Sequence, residues 1–149
     1  MRVYLPAGPA LLRELQETGR LAADPERTAY AVTPEVCAEL GVGADDEEAE
    51  YAVLAVAAAD AVALTGEVAR RVVLVLETNA TAREGALVSV PHEVPLKRVE
   101  AVQADDADAE PLVRAARDGD SSATAALEDH DLGWFATQEL GQVLEVLRG

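Results

Sequence analysis

"RRVVLVLET", residues 70–78, decides the fold. Its residues 72–76 are all Val or Leu, so neither alternating set of side chains is polar. Successive side chains of a strand point to opposite faces of a sheet, and this run leaves no face that tolerates water. The stretch therefore predicts an interior strand over residues 70–77, covered on both faces.

Four other segments have the composition and the patterning of strands. The predicted strands lie at residues 2–6, 28–33, 86–91 and 100–104. A strand, a helix and a second strand open the chain, which favours a right-handed parallel unit. Only a short turn near Asn79 separates the 70–77 and 86–91 strands, which favours an antiparallel hairpin.

These elements predict the α/β class. We expect one domain over residues 1–149, built as a two- or three-layer sandwich with helices packed on a mixed, mainly five-stranded sheet. Several helix ends are marked in the sequence. Pro9 suits the first position of a helix and Gly19 its end, while Thr33 and Pro34 open a helix that Gly41 stops.

The segment "YAVLAVAAADAVAL", residues 51–64, predicts a helix that is apolar nearly all the way round. The acidic tract at 45–50 is placed to begin it, because carboxylates are favourable in the first turn of a helix. A helix without a polar face needs cover on more than one side, and a second copy of the chain is one source of that cover. Asp60 interrupts the run, and if it is buried we expect an Arg partner such as Arg70 or Arg71.

Charge restricts the classes of partner. The chain carries 28 acidic and 12 basic residues, for a formal net charge of −16. Such an excess repels nucleic acid and anionic membranes. The acidity serves either solubility or the docking of a basic partner. The first residues lack the continuous apolar segment of a signal peptide, and we expect a cytoplasmic protein.

Sequence motifs for catalysis are missing. There is no phosphate-binding loop and no Gly-x-Ser-x-Gly elbow. Cys37 is the only cysteine, and His92 and His130 are the only histidines. Metal binding by His130 with Asp129, Asp131 or Asp105 is an open alternative, but the sequence predicts no metal and no cofactor.

Residues 127–140, "LEDHDLGWFATQEL", gather the only Trp, the only Phe and one His. If residues 132–147 form one helix, its core stripe spans an arc of about 80° and Trp134 lies about 200° round from Leu132, nearly opposite. Trp134 then needs cover from its own chain, a protein partner or a ligand. The candidate binding residues are His130, Trp134, Thr137, Gln138, Glu139 and Gly141.

Several motifs together resemble a family of small acidic actinobacterial proteins that is defined only as a domain of unknown function. They are "MRVYLPA", "AVTP", "EYAVLAVAA", "RRVVLV", "DDADAE" and "WFATQEL". The resemblance implies a bacterial cytosolic protein, and it implies no activity, cofactor or catalytic residue. It also implies a recurring pattern like that of His130, Trp134, Gln138 and Glu139 here.

Three functions are compatible with these observations. The first is a non-enzymatic interaction or accessory module with an unknown protein partner, and with a homodimer as its assembly. The second is a small-molecule-binding protein or enzyme with a site near His130 and Trp134. The third is an acidic decoy for a nucleic-acid-binding protein.

Overall fold

A computed structural model describes residues 1–148. The strands are β1 Arg2–Ala7, β2 Arg20–Leu21, β3 Thr28–Ala31, β4 Val72–Glu77, β5 Thr81–Ala82, β6 Leu87–Ser89, β7 Val94–Pro95, β8 Val99–Ala104 and β9 Gly133–Ala136. The helices are α1 Pro9–Thr18, α2 Pro34–Leu40, α3 Glu47–Ala61, α4 Glu110–Arg117, α5 Ser121–Glu128 and α6 Leu140–Leu147. Gly19 and Gly41 end α1 and α2 in the left-handed conformation, as predicted.

The main sheet has seven strands in the order β5-β6-β3-β1-β4-β8-β9, and β2 and β7 form a separate pair. Every pairing among the described residues is antiparallel. The α/β class is therefore confirmed, whereas the mixed, five-stranded sheet is wrong. All five predicted strands are present, as β1, β3, β4, β6 and β8, and the sequence missed the short edge strands β5 and β9.

The predicted parallel unit at the start of the chain is also wrong. β1 pairs antiparallel with β3, with Val3 opposite Ala31. After α1 the chain does not enter β3 directly, because residues 20–27 first form β2 and a loop. β2 and this loop return the chain to the end of the sheet where β1 finishes, so β3 runs antiparallel to β1.

The predicted hairpin between residues 70–77 and 86–91 does not form. β4 lies between β1 and β8, both six-residue strands that pair along its length. The three-residue β6 pairs instead with β3 and with β5. The long partners supply a longer hydrogen-bonded ladder to β4 than β6 could, although they are distant in sequence.

Both faces of β4 are covered, which confirms the predicted interior strand. Val72, Leu74 and Leu76 enter the core beneath α1 and α6. Val73 and Val75 enter the core beneath α2 and α3. The sheet is thus the middle layer of three, and α4 and α5 add a small cluster of their own around Val113 and Leu127.

Helix α3 packs on the sheet and touches α2 beside it. Val53 and Ala57 are buried against the sheet. Tyr51 and Val56 of α3 are about half exposed, and so is Leu64 in the turn that follows. The described chain therefore supplies only part of the predicted cover. Alanine explains the close fit on the covered side, because a helix with small side chains can lie near the strands.

The arginine partner expected for a buried Asp60 does not apply, because Asp60 is exposed. Its Oδ2 accepts a hydrogen bond of 2.6 Å from the Tyr30 hydroxyl on β3. Burial and this hydrogen bond raise the pKa of Tyr30 to about 12. Arg70 pairs with Glu110, and Arg71 pairs with Asp105. Through its hydrogen bond with Tyr30, Asp60 ties α3 to the sheet.

The single helix expected over residues 132–147 is wrong as well. β9 occupies residues 133–136 and pairs with the free side of β8, and α6 begins only at Leu140. Trp and Phe fit the pleated surface of a strand. A Cβ atom at Gly133 would lie 3.4 Å from the Ala104 carbonyl oxygen, so glycine suits this close approach of β9 to β8. The predicted stripe survives in part, since Leu140 and Val143 are buried on α6.

Among residues 1–148, the structure contains no helix of the length and apolarity needed to cross a bilayer.

We expect Leu74→Ala to destabilise the protein by about 2–5 kcal/mol, because Leu74 is fully buried in the central strand. The matched control is Val56→Ala on the exposed face of α3, which should change the stability by less than about 0.5 kcal/mol. Urea denaturation of both variants measures the difference. Equal losses would contradict the assignment of β4 to the interior.

Candidate functional site

Trp134 lies on the edge strand β9, on the same side of the sheet as α3. It pairs with Gln103, and the next residue, Phe135, points to the opposite face and packs on the core there. α3 packs on β1, β3 and β4, so it does not extend over the end of the sheet that carries Trp134. The Trp134 ring is 65% exposed for this reason.

The uncovered end of the sheet and the first half of α3 form a cleft of about 450 Å³, which we call the outer cleft. Its lining includes Arg2, Tyr4, Glu50, Tyr51, Glu100 and Trp134. Arg2 Nη1 is 2.7 Å from Glu50 Oε1, and Nη2 is 3.5 Å from Glu100 Oε2. Two carboxylates thus share one guanidinium, and the cleft carries excess negative charge.

A second cavity, of about 320 Å³, lies further along α3, and we call it the inner cavity. Its walls come from α3, from α5 and from the segment that leads into β9. The apolar lining includes Leu54, Ala58, Val62, Leu127 and Leu132, and the polar lining includes Arg71, Arg117, His130 and Asp131. Tyr51 and Leu54 line both spaces, which together form one groove beside α3.

A hydrogen bond spans this groove. The Tyr51 hydroxyl on α3 donates to Asp131 Oδ1 at 3.0 Å, just before β9. This bond to a carboxylate raises the pKa of Tyr51 above its ordinary value. Tyr51 stays neutral and able to donate at physiological pH, and it marks the boundary between the outer cleft and the inner cavity.

The floor of the inner cavity is held by a buried ion pair. Arg71 immediately precedes β4 and Asp105 immediately follows β8, and both residues are 3% exposed. Arg71 Nε donates to Asp105 Oδ2 at 2.8 Å and Nη2 donates to Oδ1 at 2.9 Å. Nη2 also donates to the His130 carbonyl at 3.0 Å, so one guanidinium fixes two strand ends and the segment before β9.

The His130 ring is paired as well. Its Nε2 lies 3.1 Å from Asp106 Oδ1, and this contact lowers the pKa of Asp106. Asp106 also accepts a hydrogen bond from the Ala109 N–H, at the start of the turn before α4. A paired imidazole on a cavity wall can orient a ligand or exchange a proton. Within residues 1–148, no three His, Cys, Asp or Glu side chains meet in an arrangement that could hold a metal ion.

The structure brings His130 and Trp134 to the same groove and leaves the other candidate residues outside it. Thr137 Oγ1 donates to the Val99 carbonyl at 2.8 Å, and Glu139 Oε2 accepts from the Ala136 N–H at 2.7 Å. Gly141 faces Gln16 of α1. Gln138 is exposed beside them, so these four residues shape the junction between β9 and α6.

Sequence reasoning did not single out Tyr51 for the groove. It named Arg71 and Asp105 only in other roles, as a partner for Asp60 and as a possible metal ligand. One signal was available for the ion pair. Arg71 directly adjoins a strand that must be buried on both faces, and a charge at such a strand end needs an opposite charge. Nothing local identified Asp105 as that partner, since it lies 34 residues further along the chain.

We expect Asp105→Asn to destabilise the protein by about 3–5 kcal/mol, because it leaves the buried Arg71 guanidinium without a counter-charge. The neighbouring substitution Asp106→Asn is the matched control. Its side chain is 66% exposed, so the loss should be far smaller. The midpoint of urea denaturation reports both, and a tolerated Asp105→Asn would contradict the anchoring role of this pair.

Comparisons with known proteins give a family and no function. No curated protein and no solved structure matched the chain. The resemblance to a domain of unknown function is confirmed, whereas the actinobacterial origin stays a prediction. The match to the family of unknown function DUF6912 spans residues 1–144, and the chain belongs to this family.

Proposed function

We propose that the protein is a non-enzymatic interaction module that docks a partner polypeptide over the outer cleft, with Trp134 as the anchor. The observation that supports this proposal is the exposure of the only Trp of the chain, at 65%, beside the half-exposed Tyr51. Large apolar rings in water are unfavourable for an isolated domain. Tryptophan and tyrosine are enriched among the residues that contribute most to binding at protein interfaces.

The charge of the outer cleft specifies the partner. Glu50 and Glu100 face one guanidinium, that of Arg2, and Asp131 adds a further carboxylate beside Tyr51. A partner with Lys or Arg next to an apolar side chain complements this surface. Its cation can contact the face of the Trp134 ring as well as the carboxylates.

Docking through side chains fits this edge better than the addition of a strand. The Ala136 N–H is bound by Glu139, so it points away from β8. In an antiparallel edge strand only every second residue points its backbone N–H and C=O outward, here Ala136 and Trp134. Because Glu139 occupies the N–H of Ala136, an added strand could not pair along the whole edge, and the Trp134 side chain is the accessible feature.

Trp134→Ala should abolish partner binding while the fold survives. Loss of an interface anchor typically costs the complex about 2 kcal/mol or more. Leu140→Ala, in the core, should instead cost about 2–5 kcal/mol of folding stability. Thermal denaturation of both variants, with affinity capture from native extract, measures the two effects.

The control for the capture is Leu40→Ala, an exposed apolar side chain of α2 away from the groove. It should retain the captured protein, and calorimetry with the purified partner should give the same ranking of variants. The proposal fails if Trp134→Ala is as destabilising as Leu140→Ala, or if it captures the same proteins as the unchanged chain.

A homodimer is the second part of this proposal, and the exposed face of α3 supports it. Val56 on α3 and Leu64 in the turn that follows are about half exposed, and a second copy would cover them. Each copy carries a formal charge of −16, so repulsion opposes this contact and salt should relieve it.

Light scattering at high micromolar concentration should therefore give a dimer mass that becomes more populated as the salt concentration rises. Val56→Glu, on the exposed face of α3, should return the protein to a monomer without unfolding it. A monomer mass under all salt conditions would remove the dimer and leave the docking proposal intact.

A small-molecule site is the remaining candidate, and the inner cavity supports it. Its volume lies at the lower end of the range for ligand pockets, about 300–1,000 Å³. The acidic decoy stays a prediction of the sequence, since no feature of the groove favours it over the docking of a basic polypeptide.

A further inference from the structure

One donor of the buried Arg71 guanidinium is not used by the protein. Nε and Nη2 bind Asp105 and the His130 carbonyl, whereas Nη1 has no acceptor among residues 1–148. The side chain is only 4% exposed, yet none of the fully buried side-chain nitrogens and oxygens in the described chain lacks a partner. Nη1 is therefore not sealed inside the protein, and it opens onto the inner cavity that Arg71 lines.

Apolar side chains make up most of the lining of the inner cavity. They include Leu54 and Ala58 of α3, Val62 in the turn after it, Leu127 and Leu132, while Thr124, Glu128, His130 and Asp131 add polar groups. A water bound beside Nη1 would need two to four polar partners. An apolar molecule fits these walls, provided that it brings one acceptor for Nη1.

The charges around the cavity select a neutral acceptor. Asp105 neutralises Arg71, whereas Arg117 keeps its positive charge, because its acceptors Thr65 and Gly66 are neutral. Glu128 and Asp131 add two carboxylates to the lining. Two carboxylates therefore face one uncompensated guanidinium, and an anionic ligand would meet a net negative charge.

We propose that the inner cavity binds an uncharged, mainly apolar small molecule whose carbonyl oxygen accepts a hydrogen bond from Arg71 Nη1. A carbonyl oxygen accepts a linear hydrogen bond from a guanidinium N–H and brings no charge of its own. The site makes no use of Trp134, so it is independent of the polypeptide docking proposed above.

Three small probes of similar shape test the ligand chemistry. Acetophenone carries the carbonyl, α-methylstyrene replaces its oxygen by a methylene group, and benzoate replaces the neutral acceptor by an anion. Titrations followed by proton–nitrogen correlation NMR report binding through the amides of Ala58 and Leu132. Acetophenone should bind at least about tenfold more tightly than α-methylstyrene, because a hydrogen bond to a charged donor is lost in the alkene. Benzoate should bind more weakly than acetophenone.

Two substitutions of exposed alanines place the site. Ala59→Phe should fill the cavity from α3 and weaken acetophenone binding by about tenfold or more, whereas Ala126→Phe on α5 lies outside the lining and should leave binding unchanged. Trp134→Ala should also leave it unchanged. Equal affinity for ketone and alkene, tighter binding of benzoate, no binding of any probe, or acetophenone binding that Ala59→Phe leaves intact would each overturn the proposal.

Discussion

The bidentate ion pair between Arg71 and Asp105 is the constraint on which the groove depends. It joins the start of β4 to the end of β8, and through the His130 carbonyl it holds the segment that leads into β9. A buried pair of this kind is poor evidence of added stability, because desolvation offsets the attraction. Its effect is geometric. Separating the two partners would leave each buried charge without solvent or a counter-charge. The pair therefore keeps the two strand ends and this segment together.

Two spaces lie around this anchor. The inner cavity has a mainly apolar lining and one unused guanidinium donor, whereas the outer cleft carries more carboxylates than cations. Tyr51 stands between them through its bond to Asp131. The two spaces suit different chemistry, an uncharged small molecule in one and a basic polypeptide over the other.

The sequence predicted those features that are local in the chain. The apolar run at 72–76 reports its own burial, so the interior strand was predictable without its partners. The same run fits both the centre of a parallel sheet and an antiparallel strand that helices cover on both faces. The direction of its strand pairing was therefore not predictable from the sequence. Periodicity over residues 132–147 misled for a related reason. Leu132 packs beneath α3 on one face of the sheet, whereas Leu140 and Val143 of α6 pack on the other, and the spacing of these residues imitates one helical stripe. His130 and Trp134 were found because imidazole and indole are scarce here, while the partner of Arg71 lies too far along the chain to be seen.

The edge of the sheet holds Trp134 in water, beside a groove, in the free protein. Since Trp134 is the only Trp, its fluorescence reports this position without ambiguity. We expect the folded protein to show an emission maximum close to that of free tryptophan and efficient quenching by acrylamide. A blue-shifted emission that acrylamide quenches only after denaturation would show a buried indole, and it would contradict this placement of Trp134.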